Sequence, residues 1–325
     1  MKGTVMNKFD AVLKLVRTHK RFLISTHHNP DADALCSALS VALWLRKLGK
    51  KVVVVNEDHC PSWLEFLPKS NLFKKAATVA RIDYDVAILL DCGDLKRVGG
   101  VSKLLQPGKP IVNIDHHVTN DRFGLVNVVD LKSSSTCEIV FDLLKVARMP
   151  LNKDIATLLY AGIMTDTGSF RFENTSSRTH AIAAELMTFK VSAPQMYNKL
   201  YVGVPVIDMK RFADVIHEAR LLLGNKVYCV SLPKKVVAKF SKTFDLKEKL
   251  FSFLRMVEGI EVVVILTELS SKEVRVNFRS QGHVDVARLA GQFEGGGHIK
   301  AAGGKVHAPL AKAKSIILTA VRKVL

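Results

Sequence analysis

The sequence predicts an α/β fold in two parts: an N-terminal doubly wound, mostly parallel sheet and a smaller C-terminal α/β domain. Three observations predict it. Short apolar runs alternate with helical stretches through the first half. Runs such as Lys51 to Asn56 are nearly continuous valine, as suits strands covered on both faces. Beyond Leu186 the alternation gives way to isolated strands, a hairpin and a closing helix. With 325 residues, 48% of them hydrophobic, the chain can fill two cores.

Each element has its own warrant. Phe9 to His19 is amphipathic and predicts a helix, and Arg21 to Ser25 a short buried strand. Asp33 to Leu48 predicts a helix stopped by Gly49. Strands come next at Lys51 to Asn56, Asp85 to Leu90 and Pro110 to Ile114, then an apolar helix at Ile155 to Met164. Val191 to Pro205 carries two prolines and no long apolar run, which places a linker there. The expected division is therefore 1–190 for a catalytic domain, 191–212 for the linker and 213–325 for a second domain. Asp208 to Leu223 reads as helix. Lys226 to Leu232, Glu261 to Leu269 and Glu273 to Arg279 read as strands, the last two joined by a turn at Ser270-Ser271-Lys272. Val284 to Phe293 and Pro309 to Leu325 read as helices.

Composition narrows the function classes. No stretch approaches the roughly 18 apolar residues of a membrane span, and the N-terminus has no apolar signal core. Five cysteines, odd in number and never paired as C-x-x-C, fit small packing thiols in a reducing cytoplasm. We therefore expect a cytoplasmic protein without a membrane partner. A formal net charge of +18 suits a solvated lysine-rich surface, and equally attraction to a polyanion such as RNA, DNA or polyphosphate. The first strand-to-helix turn lacks G-x-G-x-x-G and is acidic, so a dinucleotide-binding dehydrogenase is excluded.

Four acidic clusters carry the chemistry: His27-His28-Asn29-Pro30-Asp31-Ala32-Asp33, Asp91-Cys92-Gly93-Asp94, Asp115-His116-His117 and Thr165-Asp166-Thr167-Gly168. Three of them come directly after apolar strands, and ligands of open α/β sheets bind at the carboxyl ends of strands. Carboxylates mixed with a few imidazoles favour Mn2+ or Mg2+ over a thiolate-bound structural zinc. Asp31 could serve only as a helix cap, but a cap accounts for one aspartate and not for two plus His27. We expect His27, Asp31 and Asp91 to hold one cation, and Asp33, Asp91, His116 and Asp166 the other, with Asp91 bridging. Asp115 is expected to orient His116, and His117 to face the substrate phosphate or leaving oxygen. Two cations roughly 3.5–4 Å apart activate a bridging water and clamp phosphoryl oxygens during in-line attack. In the second half, Arg279-Ser280 and Gly295-Gly296-Gly297-His298 combine an arginine fork with glycines that let backbone amides approach an anion. A tri-glycine by itself is more often a plain loop.

These motifs resemble those of the DHH phosphoesterase superfamily, named for the triplet seen here as Asp115-His116-His117. The stretch with Arg279-Ser280 and Gly295 to His298 is similar to the DHHA1 domain. The resemblance spans nearly the whole chain, in order. Within the superfamily its compact length, without membrane or sensor segments, resembles the nanoRNase and pAp-phosphatase group and the soluble cyclic-dinucleotide phosphodiesterases. It implies two Mn2+ in the larger domain, a smaller domain that grips a terminal nucleotide across a cleft, and His117, Arg279 and His298 as substrate contacts. The family suggests homodimers. Cys36 departs from the pattern, since many relatives carry glycine there. The implied activity is hydrolysis of very short oligonucleotides to mononucleotides, with dephosphorylation of 3′-phosphoadenosine 5′-phosphate (pAp) as a second activity. A cyclic di-AMP or linear pApA phosphodiesterase is the alternative enzyme. A catalytically silent nucleotide- or RNA-binding protein would show an eroded ligand, and none is missing.

Overall fold

A computed structural model describes residues 8–241 and 244–325. The chain divides into two compact units, one running to Val202 and the other from Gly203.

The first unit contains α1 (Asp10–Thr18), β1 (Arg21–Ser25), α2 (Ala32–Lys47), β2 (Lys51–Asn56), β3 (Phe73–Lys75), β4 (Val86–Leu90), β5 (Ile111–Asp115), β6 (Val126–Val129), α3 (Thr136–Val146), α4 (Lys153–Asp166), α5 (Ser177–Met187) and α6 (Ala193–Tyr201). The sheet order is β3-β2-β1-β4-β5-β6, every neighbour parallel. Strand order reverses between β1 and β4, which makes their carboxyl ends the topological switch point. Burial explains the composition: all of β4 is buried, and α2 has buried residues around most of its circumference. One apolar cluster combines α1 to α4 with one sheet face, and a smaller one fills the opposite face around Tyr84, Leu89 and Val98.

The second unit contains α7 (Val206–Glu218), β7 (Arg220–Leu222), β8 (Val227–Leu232), α8 (Lys234–Val237), α9 (Leu246–Leu254), β9 (Val262–Ser270), β10 (Glu273–Ser280), α10 (Val286–Gly291), β11 (Gly296–His298), β12 (Ala301–Val306) and α11 (Leu310–Arg322). Its sheet runs β11-β12-β10-β9-β8-β7, antiparallel except for the parallel β8–β9 pair. Each face has its own core, with α10 and α11 on one and α9 on the other.

The expected α/β architecture is borne out. The stretch expected as the linker holds α6 and the first half of α7. Ser192 caps α6 and Pro194 sits in its first turn, where a missing N–H costs nothing, so that proline starts a helix rather than breaking one. The helix expected over Asp208 to Leu223 ends at Glu218, and residues 220–222 form an edge strand. No helix among the described residues is long and apolar enough to cross a membrane.

Candidate metal centre

The sheet delivers the site. His27 lies just past β1, Asp91 directly follows β4, and Asp115 ends β5 with His116 and His117 next in line. Since β1, β4 and β5 are adjacent, three distant stretches meet at one sheet end. Asp31 and Asp33 enter at the N-terminus of α2, and Asp166 at the C-terminus of α4. Asp91 adopts a left-handed backbone (φ 54°), and its amide donates to the Ile114 carbonyl at 2.9 Å. A non-glycine residue held in this region is a form of strain that clusters at functional sites.

Asp91 is the centre of the cluster. Its Oδ2 lies 3.4 Å from His27 Nε2, and its Oδ1 lies 3.6 Å from both His116 Nε2 and His117 Nδ1. His27 Nε2 is 3.8 Å from Asp31 Oδ2, and His116 Nε2 is 3.5 Å from Asp166 Oδ2. Three sets bring their ligand atoms within 4.8 Å of one another: His27, Asp31 and Asp91; Asp33, His116 and Asp166; and Asp91, His116 and His117. Asp31 performs both roles considered for it, because Oδ1 accepts from the Ala34 amide at 3.0 Å as a cap while Oδ2 faces His27.

Burial makes this cluster electrostatically demanding. Asp33, Asp91 and Asp115 are buried, and Asp166 is half-buried. Burial, then the charges of Asp91 and Asp166, pushes Asp33 well above the usual carboxylate range. Burial together with Asp31 and Asp91 does the same to Asp166. Burial would also raise Asp91, but His27, His117 and His116 outweigh it and hold that carboxyl well below the usual range. His117 goes up to about 9: burial opposes its charge, and Asp115 and Asp91 overcome that opposition. Imidazolium offsets the acids only in part, so this donor set fits divalent cations, which would relieve the remaining repulsion.

One pairing differs from expectation. Asp115 orients His117, not His116: its Oδ1 accepts from His117 Nδ1 at 2.7 Å, while only the backbone amide of His116 reaches it, at 2.8 Å. Asn120 clamps the other oxygen of Asp115 at 2.6 Å and also donates to Asn113 Oδ1 at 2.8 Å. The Ser133-Ser134-Ser135-Thr136 segment is a further supporting group that motif reading missed. Thr136 Oγ1 donates to Asp91 Oδ1 at 2.9 Å, and the amides of Thr136 and Cys137 donate to Asp33 Oδ2 and Oδ1 at 2.7 and 2.9 Å. A run of hydroxyl residues before an apolar stretch signals a helix start. Nothing local reveals which carboxylates that start grips. Gly162 of α4 completes the packing, because a Cβ there would collide with Cys137 Sγ and stand 2.9 Å from Asp33 Oδ1. Cys36 is fully buried, and burial pushes its thiol well above the ordinary range, as for an inert packing residue.

In the second unit, strand parity sorts the candidates. Cross-strand partners share a sheet face, and β10 pairs Arg279 with Ala301 and Asn277 with Gly303, while β11 pairs His298 with Ala301 and Gly296 with Gly303. Arg279, His298, Gly296 and Asn277 therefore lie on one face. Ser280 and Gly297 belong to the opposite face; Ser280 is buried there with Oγ unpartnered, so the structure separates it from the group in which it was expected. Part of the tri-glycine is strand rather than loop. Gly296 and Gly297 form the edge strand β11, where a Cβ on Gly297 would stand 2.5 Å from the Ala301 carbonyl oxygen, and one on Gly295 would collide with that of Gly303. Only Gly296 of the three faces open space. The Arg279 guanidinium stacks 4.5 Å from the Phe251 ring centroid and pairs with Glu248 Oε1 at 3.0 Å.

An acid–imidazole cluster at the ends of parallel strands, together with a separate mixed-sheet unit, defines the class of two-domain DHH phosphoesterases. This chain belongs to the DHH family: the profile of the DHH family N-terminal domain matches residues 21–163, and that of the DHHA1 domain matches residues 232–325. A protein of Thermus thermophilus named bifunctional oligoribonuclease and PAP phosphatase NrnA is 32% identical over 92% of this chain and 89% of its own length. Its Bacillus subtilis namesake is 28% identical over 91% and 92%. The crystal structure of an exopolyphosphatase-related protein from Bacteroides fragilis superposes with a TM-score of 0.88 at 25% identity, covering 99% of this chain and 98% of that one.

Proposed function

We propose that this chain hydrolyses very short linear oligonucleotides to mononucleotides and also removes the 3′-phosphate of pAp, with two divalent cations, Mn2+ by preference. The observation that carries the reading is Asp91, one buried carboxylate whose two oxygens face His27 on one side and His116 and His117 on the other. His27, Asp31 and Asp91 would hold one cation, and Asp33, Asp91, His116 and Asp166 the second. When bound, such cations polarise phosphoryl oxygens and lower the pKa of water.

The chain's own residues supply the rest. Asp115, clamped by Asn120, orients the His117 ring through Nδ1 and raises its hold on a proton. His117 is thus suited to face the phosphate and give a proton to the leaving oxygen. Arg279 offers a planar fork for a substrate phosphate, with His298 and Gly296 on the same sheet face. The near-complete coverage, at 32% and 28% identity, of two relatives named as bifunctional oligoribonuclease and PAP phosphatase supports this substrate class.

The test is a substrate panel with Mn2+ and with EDTA: a 5′-phosphorylated RNA dinucleotide, an RNA pentanucleotide, an RNA of two dozen residues, cyclic di-AMP, pAp and pyrophosphate. Metal-dependent turnover fastest on the short linear RNAs is the expected result. Fastest turnover of cyclic di-AMP or pyrophosphate would overturn the substrate assignment, and inactivity on all of them with metal bound would overturn the enzyme itself.

A further inference from the structure

The N-terminus of α3 reaches two of the candidate ligands at once. Thr136 donates twice, to two different acids: its hydroxyl to Asp91 Oδ1 at 2.9 Å, and its amide to Asp33 Oδ2 at 2.7 Å. Asp91 is 45 residues away in sequence and Asp33 is 103. All three side chains are buried, so water cannot substitute for a lost donor. The segment carrying Thr136 is itself anchored. Ser134 donates through Oγ to the buried Glu138 Oε2 at 2.6 Å, and Thr179 donates to the same oxygen at 3.1 Å. Asn174 Nδ2 donates both to the Ser134 carbonyl at 2.8 Å and to the Asp166 carbonyl at 3.2 Å, which ties the segment to a third acidic residue.

We propose that Thr136 is a positioning residue that holds Asp91 across two cation positions and locks Asp33 beside it. The geometry gives the reason. A carboxylate can bridge only if its plane is fixed, so that each oxygen faces its own side. Thr136 Oγ1 binds Oδ1, and this leaves Oδ2 turned to His27. Without that donor, rotation about the last side-chain bond of Asp91 brings both oxygens within reach of one side, and the second position loses a ligand. Partners of ligating groups generally contribute about ten- to hundredfold in metal affinity. The inference rests on the two-cation reading above, and its test needs no substrate.

Mn2+ titration of the metal-free full-length protein by calorimetry decides it, using wild type, Thr136→Val and Thr136→Ser. Valine keeps the size of threonine and removes the hydroxyl; serine keeps the hydroxyl and removes a methyl. The expected result is two Mn2+ per wild-type chain, with one of them weakened about ten- to hundredfold in Thr136→Val and held within about threefold of wild type in Thr136→Ser. On the short RNA, kcat should fall in the valine variant with little change in KM, again with rescue by serine. If valine proves unable to fold, Thr136→Ala replaces it in the same comparison. Wild-type Mn2+ affinity in the hydroxyl-free variant would overturn the proposal, and so would a serine variant as weak as the valine one. A single Mn2+ per wild-type chain would overturn the bridging role together with the two-cation reading. Correct Mn2+ behaviour with no turnover of short RNA would instead count against the substrate assignment alone.

Discussion

The two units handle charge in opposite ways. In the first, His27, Asp33, Asp91 and Asp115 are buried, and the proton affinities of His27, Asp33 and Asp91 are set by burial and by neighbouring charges. In the second, Arg279 stays partly accessible against Phe251 and an exposed Glu248, and the apolar cores lie on either side of the sheet. Buried like charges store repulsion that a cation relieves, and such relief is strong and specific. A half-exposed arginine fork on a sheet face makes contacts that form and break readily. The first arrangement suits the chemical step and the second suits holding a substrate.

The sharpest test of this contrast is Asp91→Ala. Divalent cations in a site of this kind supply several kcal/mol, and about 1.4 kcal/mol is a decade in rate, so kcat should fall roughly a thousandfold or more on every substrate, as steady-state assays would show. A loss confined to KM would break the contrast.

Removing the metal should expose the repulsion as a pH effect. In the metal-free protein, Asp33 and Asp166 are raised by burial and neighbouring carboxylates, and His117 is raised to about 9, chiefly by Asp115 against the opposing effect of burial. Each then binds more protons folded than unfolded. Stability is therefore fully present in acid and is lost as pH rises, from about 4 upward for the two acids and from about 6.5 to about 9 for His117. Asp91, held low, acts with the opposite sign, but only below about pH 4. The Tm of the EDTA-treated protein should fall from weak acid to alkaline pH, and Mn2+ should flatten that fall. A flat profile without metal would mean that the cluster is not strained.

Arg279→Ala should raise KM for nucleotides about tenfold or more while kcat changes little, since a charge-assisted hydrogen bond contributes about 1.5–3 kcal/mol. An equal fall in kcat with KM unchanged would contradict its role. Gly297→Ala should destabilise the second unit by about 1–3 kcal/mol, because φ there is 144° and a Cβ meets the Ala301 carbonyl oxygen at 2.5 Å. Chemical denaturation should show this loss with Mn2+ affinity unchanged. The smallest effect is expected for Cys36→Ala, a trim of one buried sulfur that should lower Tm slightly and leave turnover within about twofold of wild type.

Much of the candidate site was legible in the sequence because its chemistry is local. Apolar runs end where acids and histidines begin, and parallel strands present the residues just past their carboxyl ends at one side of the sheet. Asp91 and the Asp115-His116-His117 triplet could therefore be placed without coordinates. The alternation of strands and helices likewise pointed to the fold class. Short or polar-flanked elements were harder to see. β6 is four residues long, and β12 carries two adjacent glycines, so neither has the pattern of a strand on its own.

By itself, then, the sequence determined the donor types, their positions after strands, and the placing of the acid and histidine clusters in the first half and the tri-glycine in the second. Tertiary structure alone decided the partners. It turned Asp115 to His117, brought Thr136 to Asp33 and Asp91, split Arg279 from Ser280 by strand parity, and made Gly296 and Gly297 an edge strand. The physical reason is range. Which residue succeeds a strand is written in neighbouring residues, whereas which strand lies beside it, and in what register, is settled by packing a whole sheet against its helices.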